Sequence, residues 1–146
     1  MITKKLLSSA VLFTDKQRFL TVHPTNKNTN LLDIPKGEID KGETPIETAI
    51  REFKEETSIS LNKNNLHYIG KFYLHEHKDI YLFLYIIDKL PPITSLKCSS
   101  MTKAYGKPIE EIDKFVYLNL FDYKKLRKEL HNPIITTIMK NNLMEI

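Results

Sequence analysis

Glu52, Glu55 and Glu56 fall within the run Arg51-Glu52-Phe53-Lys54-Glu55-Glu56, at i, i+3 and i+4. In a helix this spacing crowds three like charges onto one face, at a cost of about 0.2–0.5 kcal/mol per pair. Near a helix C-terminus the helix dipole disfavours each acid by a further ~0.3–1 kcal/mol. Two readings would offset the cost. A hard divalent cation held by carboxylate oxygens cancels the repulsion, and with water and phosphate completing its coordination it clamps a phosphate chain and activates water. Alternatively the face is solvated, with Arg51 and Lys54 supplying charge pairs. These six residues alone leave both readings open.

The element that must carry these acids is well marked. Thr44 is placed as N-cap, Pro45 opens the helix, and Glu47 completes a capping box. Ile46, Ala49, Ile50 and Phe53 recur at helical spacing as one apolar stripe, and the glutamates project about a third of a turn away from it. One face of the helix is therefore buried and the neighbouring face acidic. Thr57, Ser58 and Ser60 are poor helix formers, so the helix is expected to end there. The preceding stretch, Leu31 to Glu43, bears Pro35, Gly37 and Gly42 and reads as an exposed loop that reverses sharply.

The rest of the chain supplies strands. Ala10 to Phe13 and Phe19 to Val22 are apolar runs around a polar turn, the pattern of a hairpin. LHYIGKFYLH and DIYLFLYIID are rich in aromatic and β-branched residues and predict two strands joined by a tight charged turn, the second central because it is nearly all apolar. Residues 89–108 carry prolines without periodicity and predict a long surface loop. FVYLNL predicts a further strand, and the remainder one or two helices.

A chain of 146 residues suits a single domain spanning 1–146. No apolar run approaches the roughly 20 residues of a membrane span, the N-terminus lacks a clear secretory cleavage pattern, and Cys98 has no cysteine partner. A cytoplasmic protein with no membrane partner is expected. The net charge of +4 favours anionic ligands, but the lysines are dispersed and form no dense basic arm. The histidines, including His75 and His77, lack a third ligand at zinc spacing.

Gly37, five residues, Glu43, seven residues, then Arg51-Glu52-Phe53-Lys54-Glu55-Glu56-Thr57-Ser58-Ile59 resembles the box of the Nudix hydrolases, matching eight of its nine specified positions. Ser58 stands where the family has glycine. The resemblance implies an α/β fold, a Nudix-type α/β/α sandwich with a mixed β-sheet. It also implies that Glu52, Glu55 and Glu56 bind Mg²⁺ or Mn²⁺, Glu55 and Glu56 first among them, with the Gly37 carbonyl as a further ligand. Arg51 would orient the glutamates, its i,i+4 relation to Glu47 and Glu55 making this geometrically reasonable, and Glu43 would hold the loop to the helix. Family members often place the general base outside the box, and here the alternatives are Glu110 and Glu111.

The reaction implied is metal-dependent hydrolysis of a nucleoside diphosphate linked to another moiety. Leu32-Asp33-Ile34-Pro35-Lys36-Gly37 resembles the W-x-x-P-K-G lead-in of Nudix enzymes acting on diadenosine polyphosphates, RNA 5′ ends and inositol pyrophosphates, with Leu32 in place of the aromatic residue. A dinucleoside polyphosphate or an RNA 5′ end is therefore the favoured substrate. The alternatives are an ADP-ribose or nucleoside triphosphate pyrophosphatase, or a non-catalytic nucleotide-binding module. Lys36 is a candidate phosphate contact, and Phe72, Tyr73 and Tyr81 are candidates to stack on a base or to belong to the core. The assembly is expected to be a monomer or homodimer.

Overall fold

A computed structural model describes residues 5–25, 27–104 and 106–143. The apolar runs at either end of the first hairpin form β1 (Leu6–Thr14) and β2 (Arg18–Pro24). Their turn is tied by Thr14 Oγ1 donating to the Arg18 carbonyl at 2.6 Å and by Asp15 Oδ1 accepting from Gln17 N and Arg18 N. β4 (Leu66–His75) and β5 (Lys78–Ile86) are the next antiparallel pair, and β8 (Ile112–Asn119) runs against β2. The sheet order is β4-β5-β1-β2-β8, with β1 and β5 parallel. As expected from its composition, β5 is an interior strand.

Both faces of the sheet are covered, which is why β1 and β5 read as nearly continuous apolar runs. Ala10, Leu12, Ile80, Leu82 and Leu84 point into one core, shared with Ile134 and Ile138 of α2 (His131–Lys140). Val11, Phe13 and Phe83 point into the other, shared with Ala49 and Phe53 of α1 (Pro45–Thr57). The architecture is therefore an α/β/α sandwich around a mixed sheet, the fold class the sequence implied.

One side of β1 forks. Its first half pairs with the short β3 (Lys36–Glu38), placing Gly37 beside Ser9 and Lys36 beside Ala10, whereas Thr14 pairs with Phe19 of β2. The segment before β3 fills the fork, through Val11 N to the Pro35 carbonyl and a bridge between Val22 and Asp33. The fork brings β3 under the acidic face of α1.

Residues 89–108 depart from the surface loop expected. Leu96 and Cys98 are buried, and β6 (Met101–Ala104) pairs with β7 (Lys107–Glu110) as a separate two-stranded ribbon. Each strand is only four residues long and lacks apolar alternation, so periodicity gave no sign of it.

Candidate functional site

The start of α1 follows its local sequence. Thr44 Oγ1 accepts from Glu47 N, and the Glu47 carboxylate accepts from Thr44 N, the reciprocal capping box. At the other end Ser58 adopts a left-handed backbone, φ 70° and ψ 9°, and donates its N–H to the Lys54 carbonyl. A side chain there costs roughly 1–2 kcal/mol relative to the right-handed region. The Ser58 hydroxyl offsets part of this by donating to the Lys97 carbonyl at 2.6 Å.

Between these caps the glutamates take different environments. Glu56 is 5% exposed, and its Oε2 accepts from the backbone N–H of Lys36 on β3 at 2.9 Å. Burial, then the neighbouring Glu52 charge, pushes its pKa well above the usual carboxylate range. Glu52 is also raised by burial, with Arg51 opposing the shift. Its carboxylate lies over Gly37, so closely that a Cβ on that residue would overlap it. Glu55 is the most open of the three.

Arg51 gathers the acids that flank the helix. Its Nε and Nη2 donate to the two Glu43 oxygens at 2.7 and 2.9 Å, a fork-to-fork pair, and Nη1 donates to Glu52 at 2.8 Å and to Glu55 at 3.3 Å. The Arg51 hydrogen bonds hold the Glu43 pKa down at about 2, while Glu43 raises that of Arg51. Glu43 also accepts from Asp40 N and Thr48 Oγ1, so it fastens the loop to the helix. Glu47, the other i,i+4 neighbour, is occupied by Thr44 instead.

Across the cleft stands Glu111, just ahead of β8, with Ser100 Oγ donating to its Oε2 at 2.8 Å. The segment carrying Ser100 is docked on the C-terminal end of α1. Ser99 N and Ser100 N donate to the Glu55 carbonyl and Lys97 N donates to that of Thr57, satisfying carbonyls that a helix end leaves without partners. The resulting cleft, about 460 Å³, is lined by Lys36, Gly37, Glu52, Glu55, Ser100 and Glu111 among others. A smaller adjoining recess of about 130 Å³ has Glu56 and Glu111 facing Val22, Ile34 and Ile112.

Among the described residues no three acidic or histidine side chains are already set at metal-ligand geometry. Glu52 and Glu55 are turned to Arg51. The donor set nevertheless fits a hard divalent cation. Its donors are carboxylate oxygens, Glu56 is buried with no cationic partner within 4.0 Å among the described residues, and Gly37 leaves the space that Glu52 occupies.

A family model described as "NUDIX domain" matches residues 4–133. The chain belongs to the Nudix family. A curated relative named "Probable DHNTP pyrophosphohydrolase", from Lactococcus lactis subsp. cremoris, is 39% identical over 59 residues, a stretch covering 40% of this chain and 34% of that protein. The chain thus spans about a third of the length of the curated relative it matches. Among solved structures, a Francisella tularensis bifunctional NMN adenylyltransferase/ADP ribose pyrophosphatase complexed with AMP and Mn ion aligns at TM-score 0.68 and 18% identity, over 95% of this chain and 42% of that one. A Caenorhabditis elegans Ap4A hydrolase aligns at TM-score 0.67 and 18% identity, over 95% and 99%.

In this Nudix fold the box residues converge, but not every residue singled out in the sequence joins them. Glu110 ends β7 with its side chain exposed, its carbonyl accepting from Thr25 Oγ1, while Glu111 turns to the cleft. Tyr73 is 63% exposed on the edge strand with Lys5 Nζ 4.9 Å from its ring centre, and Tyr81 packs half-buried against the core under α1. Neither tyrosine lines the cleft. Phe72 packs against the opposite core. Lys36 is at the cleft, its Nζ paired with buried Asp33 at 3.0 Å. Ser100 and Lys78 also line the cleft and were not singled out. The serine lies in a segment read as irregular and the lysine in a charged turn, so neither had a local signal.

Proposed function

We propose that this Nudix domain, the 146 residues acting as one unit, is a pyrophosphohydrolase that cleaves a nucleoside diphosphate linked to another moiety in the presence of Mg²⁺ or Mn²⁺. The observation that carries the reading is that Glu56 sits on the Lys36 backbone N–H and Glu52 over Gly37, while Glu111 lines both the cleft that holds Glu52 and Glu55 and the adjoining recess that holds Glu56. The three glutamates would hold the divalent cation, with the Gly37 carbonyl as a further ligand. When bound, such an ion supplies charge neutralisation at the phosphoryl oxygens and lowers the pKa of water. Glu111, oriented by Ser100, is the general base we favour over Glu110, because only the former reaches the cleft. Arg51 acts through its neighbours, orienting Glu52 and Glu55 while paired with Glu43. Lys36 would contact a substrate phosphate.

A dinucleoside polyphosphate or an RNA 5′ end is the favoured substrate, on the strength of the Pro35-Lys36-Gly37 lead-in and of Lys36 at the cleft. ADP-ribose and nucleoside triphosphates are the competing substrates. The setting we favour is the cytoplasm; among the described residues no helix is long and apolar enough to cross a membrane. The test is product release from diadenosine tetraphosphate, triphosphorylated RNA, ADP-ribose and nucleoside triphosphates, with Mg²⁺, with Mn²⁺ and with chelator. Metal-dependent turnover of at least one is expected. Turnover of none would overturn the reading in favour of a nucleotide-binding module.

A further inference from the structure

Lys78 is a half-buried cation without a salt-bridge partner among the described residues. It opens β5 on the face that also carries Ile80 and Leu82, and among the described residues no carboxylate lies within 4.0 Å of its ammonium group. Burial, then the nearby charge of Lys36, lowers its pKa, with Glu38 and Asp33 opposing the shift. Its surroundings are organised rather than accidental. Lys78 shares a hollow with Asp33, Lys36, His75, Arg127 and Glu129. Asp33 is divided between Lys36 at 3.0 Å and Arg127 at 3.6 Å, and Glu129 holds Arg127 at 2.7 Å. Within this hollow both carboxylates are engaged by Lys36 and Arg127, which leaves Lys78 without a partner there, while Glu38 acts on it from the cleft side. A partly desolvated, unpaired charge is unfavourable in the free protein and becomes favourable when an anion enters.

Position identifies the anion. Lys36 and Lys78 line this hollow and also the cleft beside Glu52, Glu55 and Glu111, so the two recesses share a wall. A pyrophosphate group at the glutamates would lie next to Lys36, and any phosphates continuing from it would run past Lys78 towards Arg127. We propose that Lys78, braced by Lys36 and Arg127, forms a subsite for phosphates beyond the scissile pyrophosphate and selects substrates with a long phosphate chain over those with two phosphates. This rests on the hydrolase reading above and adds to it the length of chain the enzyme prefers. A lysine that served only to balance the cleft glutamates would affect every substrate alike.

The experiment uses the full chain and the variants Lys78→Gln and Lys78→Arg. Calorimetry with inorganic tripolyphosphate in chelator should show binding to the wild type, weakened about tenfold or more in Lys78→Gln and kept within about threefold in Lys78→Arg. With Mg²⁺ or Mn²⁺, Lys78→Gln should raise KM for diadenosine tetraphosphate about tenfold with kcat little changed, while KM for ADP-ribose stays within about twofold. The thermal midpoint of Lys78→Gln should equal or exceed that of the wild type, since a partly desolvated charge without a salt-bridge partner has gone. Absence of tripolyphosphate binding to the wild type, equal binding to all three proteins, or equal KM changes for both nucleotides would overturn the subsite. Turnover of neither nucleotide by the wild type would instead overturn the hydrolase reading, and the tripolyphosphate measurement would still decide the subsite.

Discussion

Replacing Glu56 by glutamine removes one ionisable group from the recess beside the cleft at nearly constant volume, and its two consequences have opposite signs. The carboxylate is 5% exposed, accepts one backbone N–H from Lys36, and faces the charges of Glu52 and Glu111. A glutamine oxygen can keep the Lys36 hydrogen bond without the desolvation cost of a charge. In chelator at pH 8 the variant should therefore be more stable than the wild type, by on the order of 1 kcal/mol, or about 3 °C in Tm for a chain of this size. The pH dependence fixes the cause. The folded-state pKa of Glu56 is raised, so the wild type keeps full stability below the unfolded-state value near 4.5 and loses it as pH rises through the folded-state value. The advantage of the variant should consequently grow from mildly acidic to alkaline pH. Turnover moves the other way. Loss of one cation-binding charge should lower kcat by at least about 10²-fold, close to 2.7 kcal/mol. Saturating Mg²⁺ should narrow the stability gap, because a ligand that binds only the native wild type stabilises it by mass action. Differential scanning fluorimetry across pH, with and without Mg²⁺, and steady-state kinetics read all three effects. A variant less stable than the wild type in chelator at pH 8, or one with near-normal turnover, would refute the reasoning.

Gly37 has no positive φ, so alanine is acceptable to its backbone, but the added methyl must displace the Glu52 carboxylate. Gly37→Ala should leave Tm within about 3 °C and weaken divalent-ion binding about tenfold, read by Mn²⁺ titration followed by paramagnetic resonance. At Ser58 the αL backbone and the hydroxyl bond to Lys97 oppose each other: Ser58→Gly should be close to neutral in Tm, whereas Ser58→Ala should cost about 1 kcal/mol in a thermal melt.

The sequence by itself determined what nearest neighbours along the chain decide. Thr44, Pro45 and Glu47 specify the start of α1 because a capping box closes within one helical turn. The spacing of Ile46, Ala49, Ile50 and Phe53 orients the helix, and the same period sets Glu52, Glu55 and Glu56 on one acidic face. The box is legible for that reason: most of its chemistry is local. Tertiary structure decided the rest. That Gly37 lies under Glu52 depends on β3 pairing with the first half of β1. Glu110 and Glu111 are chemically equivalent in sequence, and what turns the second into the cleft is Ser100, eleven residues away and held against α1 by the Glu55 carbonyl. Tyr73 and Tyr81 are alike as stacking candidates in the sequence, and strand pairing fixes which way each side chain points. A strand sends successive side chains to opposite faces, so the assignment rests on register and on the elements packed above, and neither is written in the local sequence.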